Sequence, residues 1–173
     1  MKYSLKIILL LTPIFSLFLP TWGAPGGLGF CLWNCGNDPK SLQLDATNNV
    51  SLFLKVSQAF FTEYGKLPTS AKDIGQYVSV TGCKTNDNRI CRNNSYSENY
   101  TDLEITKWYL PSGRYEIEMK SDNDKNIFVA TPTGKFKKEG LGVSGCFNSK
   151  NGKTNILEME TGGTKVKIAS CAD

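Results

Sequence analysis

The sequence predicts an α+β domain, one long amphipathic helix packed on an antiparallel sheet of four or five strands. Three observations carry that expectation. Apolar residues recur at helical spacing up to Tyr64, and strand-like patterns take over from residue 106. The pairs Asn151-Gly152 and Gly162-Gly163 then supply the chemistry of tight hairpin turns.

The helix comes first. Val50, Phe53, Leu54, Phe60, Phe61 and Tyr64 share one face, and Ser51, Lys55, Gln58 and Thr62 share the other. That apolar stripe reads as core. Gly65 stands where a left-handed cap belongs and Pro68 prevents continuation, whereas the start falls anywhere between Ser41 and Asn49. Ser70 then reads as the cap of one short turn over 71–74. Residues 83–101 (CKTNDNRICRNNSYSENYT) are dominated by asparagine, serine and charge, and predict a polar loop. Beyond it, Tyr115, Ile117 and Met119 alternate with Glu116 and Glu118, which predicts a half-buried strand over 114–120. Residues 121–124 are turn-forming, and 126–131 (NIFVAT) form the return strand. After a Gly/Lys-rich connection at 132–140, strands are expected at 141–148, 154–160 and 164–170.

Composition narrows the chemistry. The chain has 173 residues, 20 Lys+Arg, 16 Asp+Glu, six cysteines and no histidine. Without histidine there is no imidazole zinc site and no Ser-His-Asp or Cys-His pair. A formal net charge of +4 is too mild to argue for nucleic acid, so none is expected as a partner.

Lys2 and Lys6 stand at the start of an apolar run over 7–19, followed by Pro20-Thr21-Trp22-Gly23-Ala24. That pattern reads as a secretory signal peptide, residues 1–23, cut before Ala24. Residues 24–40 (APGGLGFCLWNCGNDPK) then form a Gly/Pro-rich leader, and 41–173 the domain. From residue 24 on, no apolar run approaches the ~20 residues of a spanning helix, so no stable membrane span is expected after cleavage. The expected location is the periplasm, the cell surface or the medium.

Export makes an even cysteine count read as disulfides. Cys83 and Cys91 bracket a short polar loop and form the first expected pair, Cys146–Cys171 the second, and Cys31–Cys35 follows by elimination. The second pair poses a geometric problem. In a simple meander of the last three strands, the outer two lie about 9–10 Å apart, yet a disulfide needs Cα atoms within about 7 Å. Either Cys171 leaves its strand and crosses over, or the strands are not in sequence order.

No catalytic constellation survives scrutiny. Gly152-Lys153-Thr154 ends like a phosphate loop, but its first glycine would stand at Phe147. Glu116 and Glu118 fit a solvated strand face. Lys135, Lys137 and Lys138 around Phe136 could meet anionic polysaccharide or nucleic acid, although solvated loop lysines are the commoner explanation. Asn49, Asn93 and Asn99 begin N-x-Ser/Thr triplets, which are acceptors only in a cell that glycosylates asparagine. No catalytic residue, cofactor or metal is expected. The contact candidates are Arg89, Arg92 and Tyr96 in the polar loop.

A resemblance runs through residues 42–171. Ser57-Gln58-Ala59-Phe60-Phe61-Thr62-Glu63-Tyr64-Gly65-Lys66 with Pro68-Thr69-Ser70, then Tyr115, Phe128-Val129-Ala130-Thr131-Pro132 and Gly142-Val143-Ser144-Gly145-Cys146-Phe147, resemble the cyanobacterial type IV pilin-like G and H family. The resemblance implies a pilin-like fold and a role in adhesion or assembly rather than catalysis. It concerns the globular half, since the apolar run precedes the cleavage signal and 24–40 carries no acid before Asp38. The expectation is an exported, non-enzymatic pilin-like protein that works by protein or surface-glycan contact. The alternative is a secreted, disulfide-stabilised effector or inhibitor acting through 83–101.

Processing separates a pilin subunit from this expectation. Signal peptidase discards the apolar segment, so N-terminal sequencing of the exported chain should read from Ala24. A methylated N-terminus near residue 7, with the apolar run retained, would restore a filament subunit.

Overall fold

The computed structural model describes residues 38–92 and 94–172. The signal peptide, the leader as far as residue 37 and the Cys31–Cys35 pair lie outside the described residues.

Helix α1 spans Pro39–Tyr64, starting earlier than the vague sequence signal. Its beginning is fixed by Asp38, whose carboxylate accepts from Ser41 N at 3.2 Å, and by Pro39, whose missing N–H costs nothing in the first turn. Its end is the one expected. Gly65 adopts φ 67° and donates to Phe61 O at 2.8 Å. The short helix α2, Ala71–Gly75, follows. Ser70 occupies its cap position without a capping bond from its side chain, and the Asp73 carboxylate reaches back to Thr69 N instead.

The sheet has seven strands, not four or five: β1 (Thr81–Cys83), β2 (Ser97–Asn99), β3 (Lys107–Tyr109), β4 (Tyr115–Asp122), β5 (Lys125–Pro132), β6 (Val143–Asn148) and β7 (Thr154–Glu158). Their order is β2-β1-β3-β4-β5-β6-β7, and every neighbouring pair is antiparallel. The three unforeseen strands are three residues long, too short to show a period. Their pairing is imposed by neighbours, as in Cys83 opposite both Ser97 and Tyr109. β2 lies inside the stretch expected to be a strandless loop.

One sheet face receives α1. Tyr115, Ile117 and Met119 of β4 are buried there, while Glu116 and Glu118 point away, as the alternation requires. Phe53 of α1 meets Trp108 edge-on at 5.4 Å between ring centroids, and Phe128 at 5.5 Å. Val50 and Leu54 lie directly on Gly145, where a Cβ would collide with both. The buried Gln43 amide donates to Met159 O at 2.8 Å and to Gly142 O at 3.3 Å, tying the helix start to the ends of β6 and β7.

Residues 164–170 are not a strand, so the Gly162-Gly163 hairpin does not exist. Those residues cross the opposite face of β6. Gly145 faces α1, so its neighbours Ser144 and Cys146, and by the same alternation Gly142 and Asn148, face away. All four meet the tail. Gly142 packs against Val166, Ser144 Oγ donates to Lys167 O and accepts from Ala169 N, and Asn148 Nδ2 donates to Cys171 O. Cys146 bonds Cys171 across 5.8 Å between Cα atoms. The geometric problem is thereby solved by the first route, with Cys171 outside any strand.

Phe53 is buried against both Trp108 and Phe128, so Phe53→Ala should cost about 3–5 kcal/mol in urea unfolding. Gly145→Val should cost about 1–3 kcal/mol by overpacking the same seam. A Phe53→Ala loss below about 1 kcal/mol would show that the seam is not the core.

Candidate functional site

The polar loop is held at both ends and in the middle. Cys83 and Cys91 are joined with 5.6 Å between their Cα atoms. Inside this ring Asp87 organises the turn: its carbonyl accepts from Ile90 N and Cys91 N, each at 3.0 Å, and its carboxylate accepts from Arg89 N at 2.9 Å. The Arg89 guanidinium lies 3.4 Å from the same carboxylate. These bonds from the backbone and side chain of Arg89 lower the Asp87 pKa. Beyond the ring, Lys84 N donates to Tyr96 O at 2.9 Å, and β2 pairs with β1.

Two glycines seat the loop on the rest of the fold. Gly113 has φ 64° and packs against Cys91 Sγ and Thr85 O. Gly134 has φ 54° and packs against Asn86 O. Neither position admits a Cβ, and both use the left-handed conformation that glycine adopts without strain. Thr133 joins the two turns, donating from N to Arg114 O at 2.8 Å and from Oγ1 to Gly113 O at 2.9 Å.

Where these turns meet the flank of α1 there is an open groove of about 390 Å³. Its walls are Leu42 from α1, Asn88 and Arg89 from the loop, Arg114 from the turn before β4, and Lys135, Phe136 and Glu139 from the segment after β5. The Phe136 ring stands edge-on to the buried Tyr115, 5.7 Å between centroids. A second hollow of about 250 Å³ adjoins it, sharing Asn88 and Arg114 and adding Cys91, Arg92 and Ser112.

Charge in the groove is mixed and mainly positive. Arg114 is only 9% exposed. Burial, then the neighbouring charge of Arg92, push its guanidinium pKa down, while Tyr115 and Asp45 oppose them. Asp45 is exposed as a residue, yet desolvation of its carboxyl raises its pKa, with Arg114 opposing. Among the described residues no group of three metal-ligating side chains occurs.

The expected contact residues are only partly brought together. Arg89 lines the groove and Arg92 the adjoining hollow, but Tyr96, though 43% exposed, lines neither. Lys135 and Phe136, read from sequence as loop residues, stand in the same wall system as Arg89. Lys137 and Lys138 are exposed and line neither cavity. Arg114, Asn88, Glu139 and Leu42 were not expected. Arg114 reads in sequence as the first residue of a strand, and only the turn it follows reveals that it faces the loop.

Replacing Arg89, Arg92 and Tyr96 together by alanine should leave the melting temperature within a few degrees, because all three are exposed. Gly113→Val, a single change outside the loop, should lower it well beyond that by forcing the disulfide away. A large loss from the triple variant would make these side chains structural.

No family model, curated protein or solved structure matches the chain, so a functional reading of the groove stands on its own chemistry.

Proposed function

We propose that this is an exported pilin-like domain of the cell envelope or surface that acts by contact, in adhesion or assembly, and carries out no catalysis. The observation that carries the reading is the fixed loop. A stretch with almost no apolar area is closed by Cys83–Cys91, seated on Gly113 and Gly134, and extended into an edge strand. A surface ordered in advance loses little entropy when it binds.

Other features support the reading without singling it out. A 26-residue helix laid on an antiparallel sheet, with a late disulfide closing the C-terminal segment, agrees with what the resemblance implies. Two disulfides are compatible with an extracellular or periplasmic setting. Among the described residues no helix is long and apolar enough to cross a membrane. Ordinary filament packing, which needs such a helix, is no part of the proposal.

Purified chain added to envelope fractions of its own cells should attach, and the triple variant at Arg89, Arg92 and Tyr96 should attach about tenfold less with its melting temperature unchanged. Wild-type attachment by that variant would refute a role for the loop. Chain recovered free in the medium, with no envelope binding, would favour the effector or inhibitor in its place.

A further inference from the structure

We propose that the groove between α1, the disulfide loop and the segment after β5 binds an acidic polysaccharide, a chain of sugars carrying carboxylate or sulfate groups. The proposal rests on the contact function above and names the ligand class for it.

The positive charge is concentrated in one place. Arg89, Arg114 and Lys135 line the main groove, and Arg92 lines the hollow that shares Arg114. Arg92 and Arg114 repel one another across that hollow, and Arg114 is nine-tenths buried, so its charge has lost much of its hydration. Like charges set side by side along one groove and its adjoining hollow favour an anion that lies between them. The guanidinium groups supply planar, forked donors suited to carboxylate or sulfate oxygens. Asp87 beside Arg89, Asp45 beside Arg114 and Glu139 in the wall keep the empty groove from a large excess of one sign.

The remaining walls select among anions. Phe136 and Leu42 offer apolar surface, Asn88 offers an amide, and Glu139 offers a carboxylate. A carboxylate in the wall repels a ligand that is only an anion, but it accepts from hydroxyl groups. Apolar patches beside a few polar groups suit a sugar ring, which is apolar on its faces and rich in hydroxyls at its edge. An acidic peptide would gain most from a sheet edge, where its backbone can add a strand. Among the described residues the edge strands are β2 and β7, and neither contributes a residue to the groove.

The test is direct binding of the oxidised mature chain to four polymers at about 0.15 M ionic strength, where long-range attraction is largely screened. Polygalacturonate presents carboxylates, dextran sulfate presents sulfates, dextran is neutral, and poly-L-glutamate is an anion without sugars. At least one acidic polysaccharide should bind and dextran should not, and the first two arms tell carboxylate from sulfate. The variant R89Q/R92Q/K135Q should bind about tenfold more weakly or worse. The control K55Q/K153Q/K165Q, which removes the same charge from exposed lysines outside the groove, should bind like the wild type. Tighter binding of poly-L-glutamate than of either acidic polysaccharide would overturn the ligand class, and an equal loss in the control would reduce the effect to net charge. If no polysaccharide binds while R89Q/R92Q/K135Q still loses envelope attachment, the ligand class fails and the contact function stands.

Discussion

Gly145 lets Val50 and Leu54 of α1 descend onto the middle of β6, and Phe53 fills the space beside them between Trp108 and Phe128. That close approach sets the position of everything else. With the helix pressed onto β5 and β6, its first turns reach the ends of β6 and β7, where Gln43 is satisfied by two carbonyls. The same turns carry Leu42 and Asp45 to the side of the sheet where the turn before β4 emerges. The groove is thus a consequence of how low the helix sits. A side chain at 145 would lift it and open the groove from one side.

Two segments lie outside this core and share a single solution. Neither residues 83–92 nor the tail after Glu160 buries enough apolar surface to order itself, and each is fixed by one disulfide together with polar bonds to a strand. For the tail, alternate residues of β6 act as a row of anchors, so a buried strand is served on one face by a helix and on the other by an extended chain. That explains why β6 is buried along its whole length although, among the described residues, α1 covers only one of its faces. For the loop, the anchors are two left-handed glycines, and the outer surface is left to charged side chains.

The parts legible in the sequence were those governed by local period or by backbone necessity. The stripe of α1 as far as Phe61 (Tyr64, expected on it, is 48% exposed at the helix end), the cap at Gly65, the alternation of β4 and the turn at Gly152 each declare themselves within a few residues, and each stands as expected. The three short strands did not, because three residues cannot show a period and their pairing depends on β4 being in place. The segment 164–170 misled for the opposite reason. Its alternation of threonine, lysine and apolar residues is strand-like, but its partners are side chains of β6 rather than a backbone ladder. The groove was half visible. Arg89 and Arg92 stood out in a polar loop and Lys135 in a basic cluster, yet no local signal joined them. Gly113 and Gly134, spaced far apart in sequence, perform that joining through the close approach that only glycine permits.

Rigidity and charge meet in the loop in a way that bears on function. The Asp87 side chain, the obvious acid near the groove, is already engaged by the backbone and guanidinium of Arg89, which holds its pKa down. Asp87 thereby fixes Arg89, so that a long, entropically costly side chain starts from a restricted position. The same logic applies on the other wall, where Phe136 is braced by Tyr115 and the adjoining backbone is tied through Thr133 to the turn that carries Arg114. Arg89 and Phe136, on opposite walls, are thus each held by a neighbour, Asp87 for the one and Tyr115 for the other. Under the contact function proposed above, affinity depends on the staples that keep the loop seated, Cys83–Cys91 and the close approaches at Gly113 and Gly134.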